Sequence, residues 1–294
     1  MSDRAERWGF TEGDLITEEL TAIKLLGGGA AYEAYLAFDE ITYSPVVVKV
    51  VRPDQVQSRS TLRGLRREVA ALAEINHPVV VRGLRHELAG ERPHVVLEQV
   101  DGPRLSTLVR RYGPLQAAQY LPLAIDIAAA LHYLRHVGYV HLDIKPSNVI
   151  MGAPARLIDL SVARRTEDAA DLRHLIGTDA YMAPEQCEPG EIHVPGPASD
   201  VWGLGATLYH AVTGSPPFAE GDPDAERATD RFPQLAAAAP ELPDEVPAAV
   251  AKVIHACLAP EPGARPEPAD VAGALEPVLA RLPRGHLAGF RLGR

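Results

Sequence analysis

Cysteine is scarce. Cys187 and Cys257 are the only two among 294 residues, far apart and in no metal spacing. Neither a disulfide framework nor a cysteine-rich metal centre can be built from them, and a reduced, cytoplasmic setting fits best. An excess of positive charge is missing too. Lys and Arg number 29 against 39 Asp and Glu, a net charge of −10. That balance argues against nucleic acid as the main partner, although residues 63–67 form a local basic patch. Long apolar runs are absent: the longest, 121–131, is broken by Asp126 and falls far short of the ~20 residues that span a bilayer. The first residues carry Asp3, Arg4, Glu6 and Arg7 without an apolar core, unlike a signal peptide. No self-similarity at a period of roughly 20–50 residues is visible, which removes solenoids and propellers.

What is there is ordinary globular material, 46% hydrophobic and 23% charged, long enough for one large or two small domains. Its chemistry concentrates in 139–150, Y-V-H-L-D-I-K-P-S-N-V-I. A carboxylate (Asp143), an ammonium (Lys145) and an amide (Asn148) fall within six residues, stiffened by Pro146 and flanked by apolar residues. Such a segment predicts a loop seated on short strands. A carboxylate there can accept a proton from an incoming hydroxyl, a lysine can neutralise a transferring phosphoryl group, and an amide can hold a metal ion. That set fits phosphoryl transfer, in which catalysis is mostly positioning and charge stabilisation. The stretch resembles the protein-kinase catalytic loop H-R-D-x-K-x-x-N, with Leu142 where the family has arginine.

Upstream, apolar alternation predicts strands over 20–26, 32–38 and 46–51, bounded by Gly27, Gly28 and Gly29 and by the 39–45 turn. The glycines allow backbone N–H groups to approach phosphate oxygens, and equally suit a plain hairpin turn. They resemble the kinase glycine-rich loop, with Tyr32 in place of its third glycine and Ala34 in place of the usual valine. Lys49 lies inside V-V-V-K-V-V, where an ammonium is costly unless it is paired or snorkels to an edge. A helix over 60–75 follows, with Leu62, Leu65, Val69, Leu72 and Ile75 on one face. Glu68 on its border reads either as a solvated charge or as the partner of Lys49. E-x-x-x-L-x-x-I-x-H-P resembles the αC helix of kinases, and this favours the pair.

Strands over 80–87 and 94–99 lead into 97–102, which resembles the hinge between kinase lobes. There Leu97 takes the gatekeeper position, and backbone near Glu98 and Val100 would hold an adenine edge. An apolar helix over 115–138 carries His132 and His136 at i, i+4, read as packing and surface residues for want of a third ligand. Asp159 in D-L-S resembles the metal-binding aspartate of D-F-G. Ser161 stands where the family has a glycine whose backbone freedom serine lacks. Ala183, Pro184 and Glu185 match the A-P-E motif, and Arg265 the arginine that pairs with its glutamate. Asp200 reads as a helix cap or, by resemblance, as the group that holds the catalytic-loop backbone. The Pro- and Ala-rich run 219–247 shows no chemistry, and helices are expected at about 246–258 and 268–282.

Taken together the motifs identify the chain as similar to bacterial Hanks-type serine/threonine kinases. The resemblance implies an α+β, two-lobed fold: a five-stranded antiparallel sheet with one helix over 20–99, and a mainly helical lobe over 100–282. Residues 1–19 are expected to be a polar lead-in and 283–294 a tail. It implies catalysis by Asp143 and Lys145 with Lys49 and Glu68. ATP would lie against Gly27–Gly28–Gly29, Lys49, Leu97, Glu98 and Val100, and Mg2+ at Asn148 and Asp159. Protein Ser/Thr hydroxyls are the expected acceptors, self-phosphorylation included, and dimerisation is compatible. Leu142 cannot pair with a loop phosphate as arginine does, and Thr166 is the sole hydroxyl residue between Val162 and Ile176. The activation segment is therefore expected to order by its own packing. Tyr32, Leu142 and Ser161 keep open a nucleotide-binding pseudokinase scaffold. A kinase-fold enzyme for small molecules is opposed by the A-P-E segment and Arg265.

Overall fold

A computed structural model describes residues 6–191 and 193–283. The strand patterns of the N-terminal part close into one six-stranded antiparallel sheet. Its strands are β1 (Leu15–Thr17), β2 (Leu20–Gly28), β3 (Tyr32–Asp39), β4 (Ser44–Val51), β5 (Gly83–Glu87) and β6 (His94–Glu98), in the order β1-β2-β3-β4-β6-β5. The period of two decides what each face does. Val46, Val48, Val50 and Val96 turn to the outer face, where they pack with Tyr35 and Ile16. Val47, Lys49, Val95 and Leu97 turn inward, toward the helix α1 (Arg59–Glu74) and the cleft.

Two expectations are corrected here. The sheet has a sixth strand, because β1 folds back on the start of β2, with Thr17 opposite Leu20. The 1–19 segment is also more than a polar lead-in: Trp8 and Phe10 pack on the outer valine face, which would otherwise expose its apolar side chains to water.

The C-terminal part is mainly helical: α2 (Leu105–Tyr112), α3 (Ala117–His136), α4 (Thr166–Ala170), α5 (Pro184–Cys187), α6 (Pro197–Thr213), α7 (Ala228–Arg231), α8 (Ala248–Cys257) and α9 (Pro268–Ala280). Helices α3 and α6 carry apolar residues nearly all round, and they form the centre on which α8 and α9 pack. Four two-residue strands, β7 (Tyr139–Val140), β8 (Val149–Ile150), β9 (Arg156–Leu157) and β10 (Arg164–Arg165), pair as β7–β10 and β8–β9. They hold the polar 141–148 loop at the mouth between the two parts. Among the described residues no helix is long and apolar enough to cross a membrane. The expected tail, apart from residue 283, lies outside the described residues.

Candidate active site

The 141–148 loop is fixed from beneath by a buried carboxylate. Asp200 accepts the backbone N–H of His141 at Oδ2 and that of Leu142 at Oδ1, each at 2.7 Å. It sits one turn inside α6 and so does not cap that helix, because its side chain is turned to the loop. Burial pushes its carboxyl up, against the pull of His141 and the two N–H donors. The two donors also hold Leu142 at φ +63, a left-handed conformation that costs a non-glycine residue energy.

That bend presents Asp143. Its Oδ1 accepts from Thr178 Oγ1 at 2.8 Å, and its Oδ2 lies 3.0 Å from Asn148 Nδ2 and 2.7 Å from Lys145 Nζ. Lys145 in turn donates to Thr178 Oγ1 at 2.5 Å. Asn148 Nδ2 also reaches the backbone oxygen of Asp143 at 3.0 Å, which leaves the amide oxygen as the end able to face a cation. A carboxylate so placed can take a proton from a hydroxyl, with an ammonium beside it for anionic charge.

Across the cleft, Lys49 Nζ lies 2.9 and 2.8 Å from the two oxygens of Glu68 and 3.0 Å from Asp159 Oδ1. Burial alone would lower the lysine, but the carboxylates of Glu68 and Asp159 outweigh it and hold the ammonium above its ordinary value. Burial likewise acts to raise Asp159, and the Lys49 charge overrides it, keeping the carboxyl below the usual range. The left-handed residue of the D-L-S segment is Asp159 itself, at φ +69. Ser161 is not left-handed and donates its N–H to Asp159 Oδ1 at 3.3 Å. The cost expected from serine in the glycine position is therefore absent in this arrangement.

The cleft between these groups measures about 790 Å³. Gly27, Gly28 and Gly29 roof it, Leu97, Glu98 and Val100 line its inner edge, and Lys49, Glu68, Lys145, Asn148 and Asp159 its far side. Asp143 stands just outside this lining, joined to it through Asn148. At Gly28 a Cβ would come within 2.5 Å of the Tyr32 carbonyl oxygen, so the hairpin can close only on glycine. Val100 lies past the end of β6, so its backbone groups fall outside the strand. The Glu98 side chain is turned away to Arg82 and Arg156. An apolar slot ending in glycine backbone, a lysine and an Asp/Asn pair is a donor set that suits a nucleotide carrying phosphates and a hard divalent cation.

Farther out, Arg265 meets Glu185 as a buried bidentate pair at 2.7 and 2.8 Å, with Ser199 Oγ on the same carboxylate at 2.6 Å. Sequence reasoning missed Gln186 and Gln234. Gln186 Nε2 donates to the carbonyls of Leu142 and Ile176, and Gln234 Nε2 to those of Asp179 and Met182. No sequence signal marks a glutamine whose partners are mainly backbone carbonyls, and Gln234, which also reaches Cys187 Sγ at 3.4 Å, lies in the run read as having no chemistry. Tyr32 is turned inward: its hydroxyl donates to the Thr61 carbonyl at 2.8 Å, and Lys49 Nζ lies 4.9 Å from its ring centre. His132 and His136 lie exposed on α3.

A profile of the protein kinase domain matches residues 20–274. The serine/threonine-protein kinase PknB of Mycobacterium leprae is 34% identical over 208 residues, 68% of this chain and 33% of that protein. The DNA damage-responsive serine/threonine-protein kinase RqkA of Deinococcus radiodurans is 34% identical over 272 residues, 88% of this chain and 39% of that protein. The probable serine/threonine-protein kinase PkwA of Thermomonospora curvata is 31% identical over 256 residues, 86% and 33% of the two chains. The chain thus spans about a third of the length of the first curated relatives it matches.

Proposed function

The chain belongs to the protein kinase domain family, alongside bacterial serine/threonine kinases, and from this we propose that it transfers the γ-phosphoryl group of ATP to Ser or Thr hydroxyls of proteins. Residues 20–99 and 100–282 serve as its two lobes. The observation that carries the reading is the meeting, around one cleft, of the made Lys49–Glu68 pair with Asp143, Lys145, Asn148 and Asp159.

In this reading the backbone of Gly27, Gly28 and Gly29 cradles the phosphates, and Leu97 with the backbone near Glu98 and Val100 seats the base. Lys49, aimed by Glu68, binds phosphate oxygens. Asn148 and Asp159 hold Mg2+, which when bound offsets phosphate charge. Asp143 orients the acceptor hydroxyl and receives its proton, and Lys145 offsets charge on the group in transit. Free, buried cysteines and the need for ATP support a cytoplasmic site of action. Self-phosphorylation is included, and a dimer is compatible with the fold.

We further propose that the activation segment needs no phosphate. Leu142 is 3% exposed and packs with Val140, Ala169 and Leu172, flanked by Val162 and Ile176. An apolar cluster thus occupies the place where an arginine would await a phosphate. Incubation with labelled ATP, Mg2+ and a generic protein acceptor tests the reaction. Phosphoserine or phosphothreonine in the acceptor supports it. A rise in melting temperature with Mg-ATP but no transfer would favour the scaffold reading instead.

A further inference from the structure

The segment 6–10 lies against the nucleotide-side end of the sheet. Its anchor is the buried pair Arg52–Glu33, in which Glu33 is 1% and Arg52 5% exposed. Glu33 collects three donors: the Trp8 backbone N–H at 3.1 Å, the Tyr35 hydroxyl at 3.1 Å and Arg52 Nη1 at 3.4 Å. Arg52 Nη1 also reaches the Glu6 carbonyl at 3.1 Å, and the Trp8 indole N–H donates to the Val51 carbonyl at 2.8 Å. Behind this, the Trp8 and Phe10 rings stack at 5.8 Å, with the Arg92 guanidinium 5.1 Å from each.

The other end of Arg52 is in the glycine-rich loop. Its Nε donates to the Gly29 carbonyl at 2.7 Å, and its backbone N–H to the Ala31 carbonyl at 3.0 Å. The loop's own closure is the Gly29 N–H to Tyr32 carbonyl bond at 3.1 Å. One guanidinium therefore ties residues 6–10 to a carbonyl of the loop that roofs the cleft, two positions after the strand residue Val50 and three after Lys49. A loop rich in glycine has many accessible conformations, and each fixed carbonyl removes some of them before ligand arrives.

We propose that residues 6–10 form a strap that holds the glycine-rich loop in its nucleotide-ready position through Arg52, which makes Arg52 a positioning residue for nucleotide binding. This rests on the cleft being the nucleotide site. Releasing the strap leaves Asp143, Lys145 and Lys49 where they are and loosens the roof, so affinity should fall while turnover at saturation is kept.

The test compares the parent protein with Trp8→Ala, Trp8→Phe and Arg52→Gln, by hydrogen exchange over residues 27–33 and by binding and kinetics with Mg-ATP. For Trp8→Ala the strap predicts faster exchange in 27–33 and weaker Mg-ATP binding by roughly fivefold, the effect of losing about one net hydrogen bond. KM for ATP should rise in step, with kcat within about twofold of the parent. Trp8→Phe, which keeps the ring contact, should lie between the two, and Arg52→Gln should match or exceed Trp8→Ala. Unchanged exchange in 27–33, or unchanged affinity despite a lowered melting temperature, overturns the strap. If the parent itself bound no Mg-ATP, the nucleotide reading would fall, and exchange in 27–33 would still judge whether the strap holds the loop.

Discussion

Thr178 hydrogen-bonds the carboxylate of Asp143: its Oγ1 donates to Oδ1 at 2.8 Å while receiving Lys145 Nζ at 2.5 Å. The hydroxyl therefore fixes the relative position of the two groups given the proton-accepting and charge-offsetting roles. Thr178→Val removes it and keeps the shape. Turnover should fall by about 10- to 100-fold, the scale of a misplaced reacting group, with Mg-ATP affinity kept and Thr178→Ser close to the parent. Steady-state kinetics with a protein acceptor checks this, and a loss confined to affinity would contradict it.

Lys49→Met leaves Glu68, only 1% exposed, without its cation. A buried carboxylate stripped of its partner costs on the order of 3 kcal/mol, so urea denaturation should show a loss of about that size. The double variant Lys49→Met/Glu68→Gln should recover part of it. Both variants should be inactive.

Thr166→Ala should retain transfer within about twofold of the parent, because the activation segment is seated on Leu142 by packing. Leu172→Ala, which hollows that cluster at a residue 4% exposed, should destabilise by about 2–3 kcal/mol and lower turnover. Loss of activity in Thr166→Ala with recovery in Thr166→Glu would show instead that a loop phosphate is required.

Asp39 is buried at the end of β3, and the paired Arg85 guanidinium, at 2.5 and 2.7 Å, holds its carboxyl well below the usual carboxylate range. A depressed carboxylate stabilises the fold above its unfolded value of about 3.9, and that contribution disappears as pH falls toward the folded value. Thermal melts should therefore show wild type more stable than Asp39→Asn at about pH 6, with the gap narrowing progressively as pH falls below about 4. A gap that is constant with pH would contradict the ion pair.

Most of the cleft was legible in the sequence, because its chemistry is carried by short motifs with fixed spacing. Lys49 and Glu68 lie on the strand and helix that periodicity predicts, Asn148 and Asp159 fall where the resemblance to the kinase motifs puts them, and Asp143 is joined to the lining through the Asn148 amide. What the sequence hid has a common cause. For Asp200 residue type alone suggested a cap, because a carboxylate near a helix start usually is one; the resemblance offered the loop-holding role instead, and that is the one the fold gives it, against His141 and Leu142. Ser161 looked costly because the position of the left-handed residue cannot be read from residue type, and it is Asp159 that takes it. Residues 1–19 looked like a lead-in because Trp8, Phe10 and Ile16 are scattered among glycine and charged residues, and these three become a cover only against the valine face that β4 and β6 present. Gln186 and Gln234 bond to carbonyls whose position no local pattern announces.

The most direct measurement is phosphate transfer from labelled ATP in the presence of Mg2+, for the parent and for Asp143→Asn, with mapping of the modified residues. With Asp143 as the proton acceptor, the parent protein should place phosphate on Ser or Thr, and Asp143→Asn should lose at least ~100-fold of that transfer while keeping its Mg-ATP binding. Transfer that persists undiminished in Asp143→Asn, or no transfer from a parent that binds Mg-ATP, would contradict it.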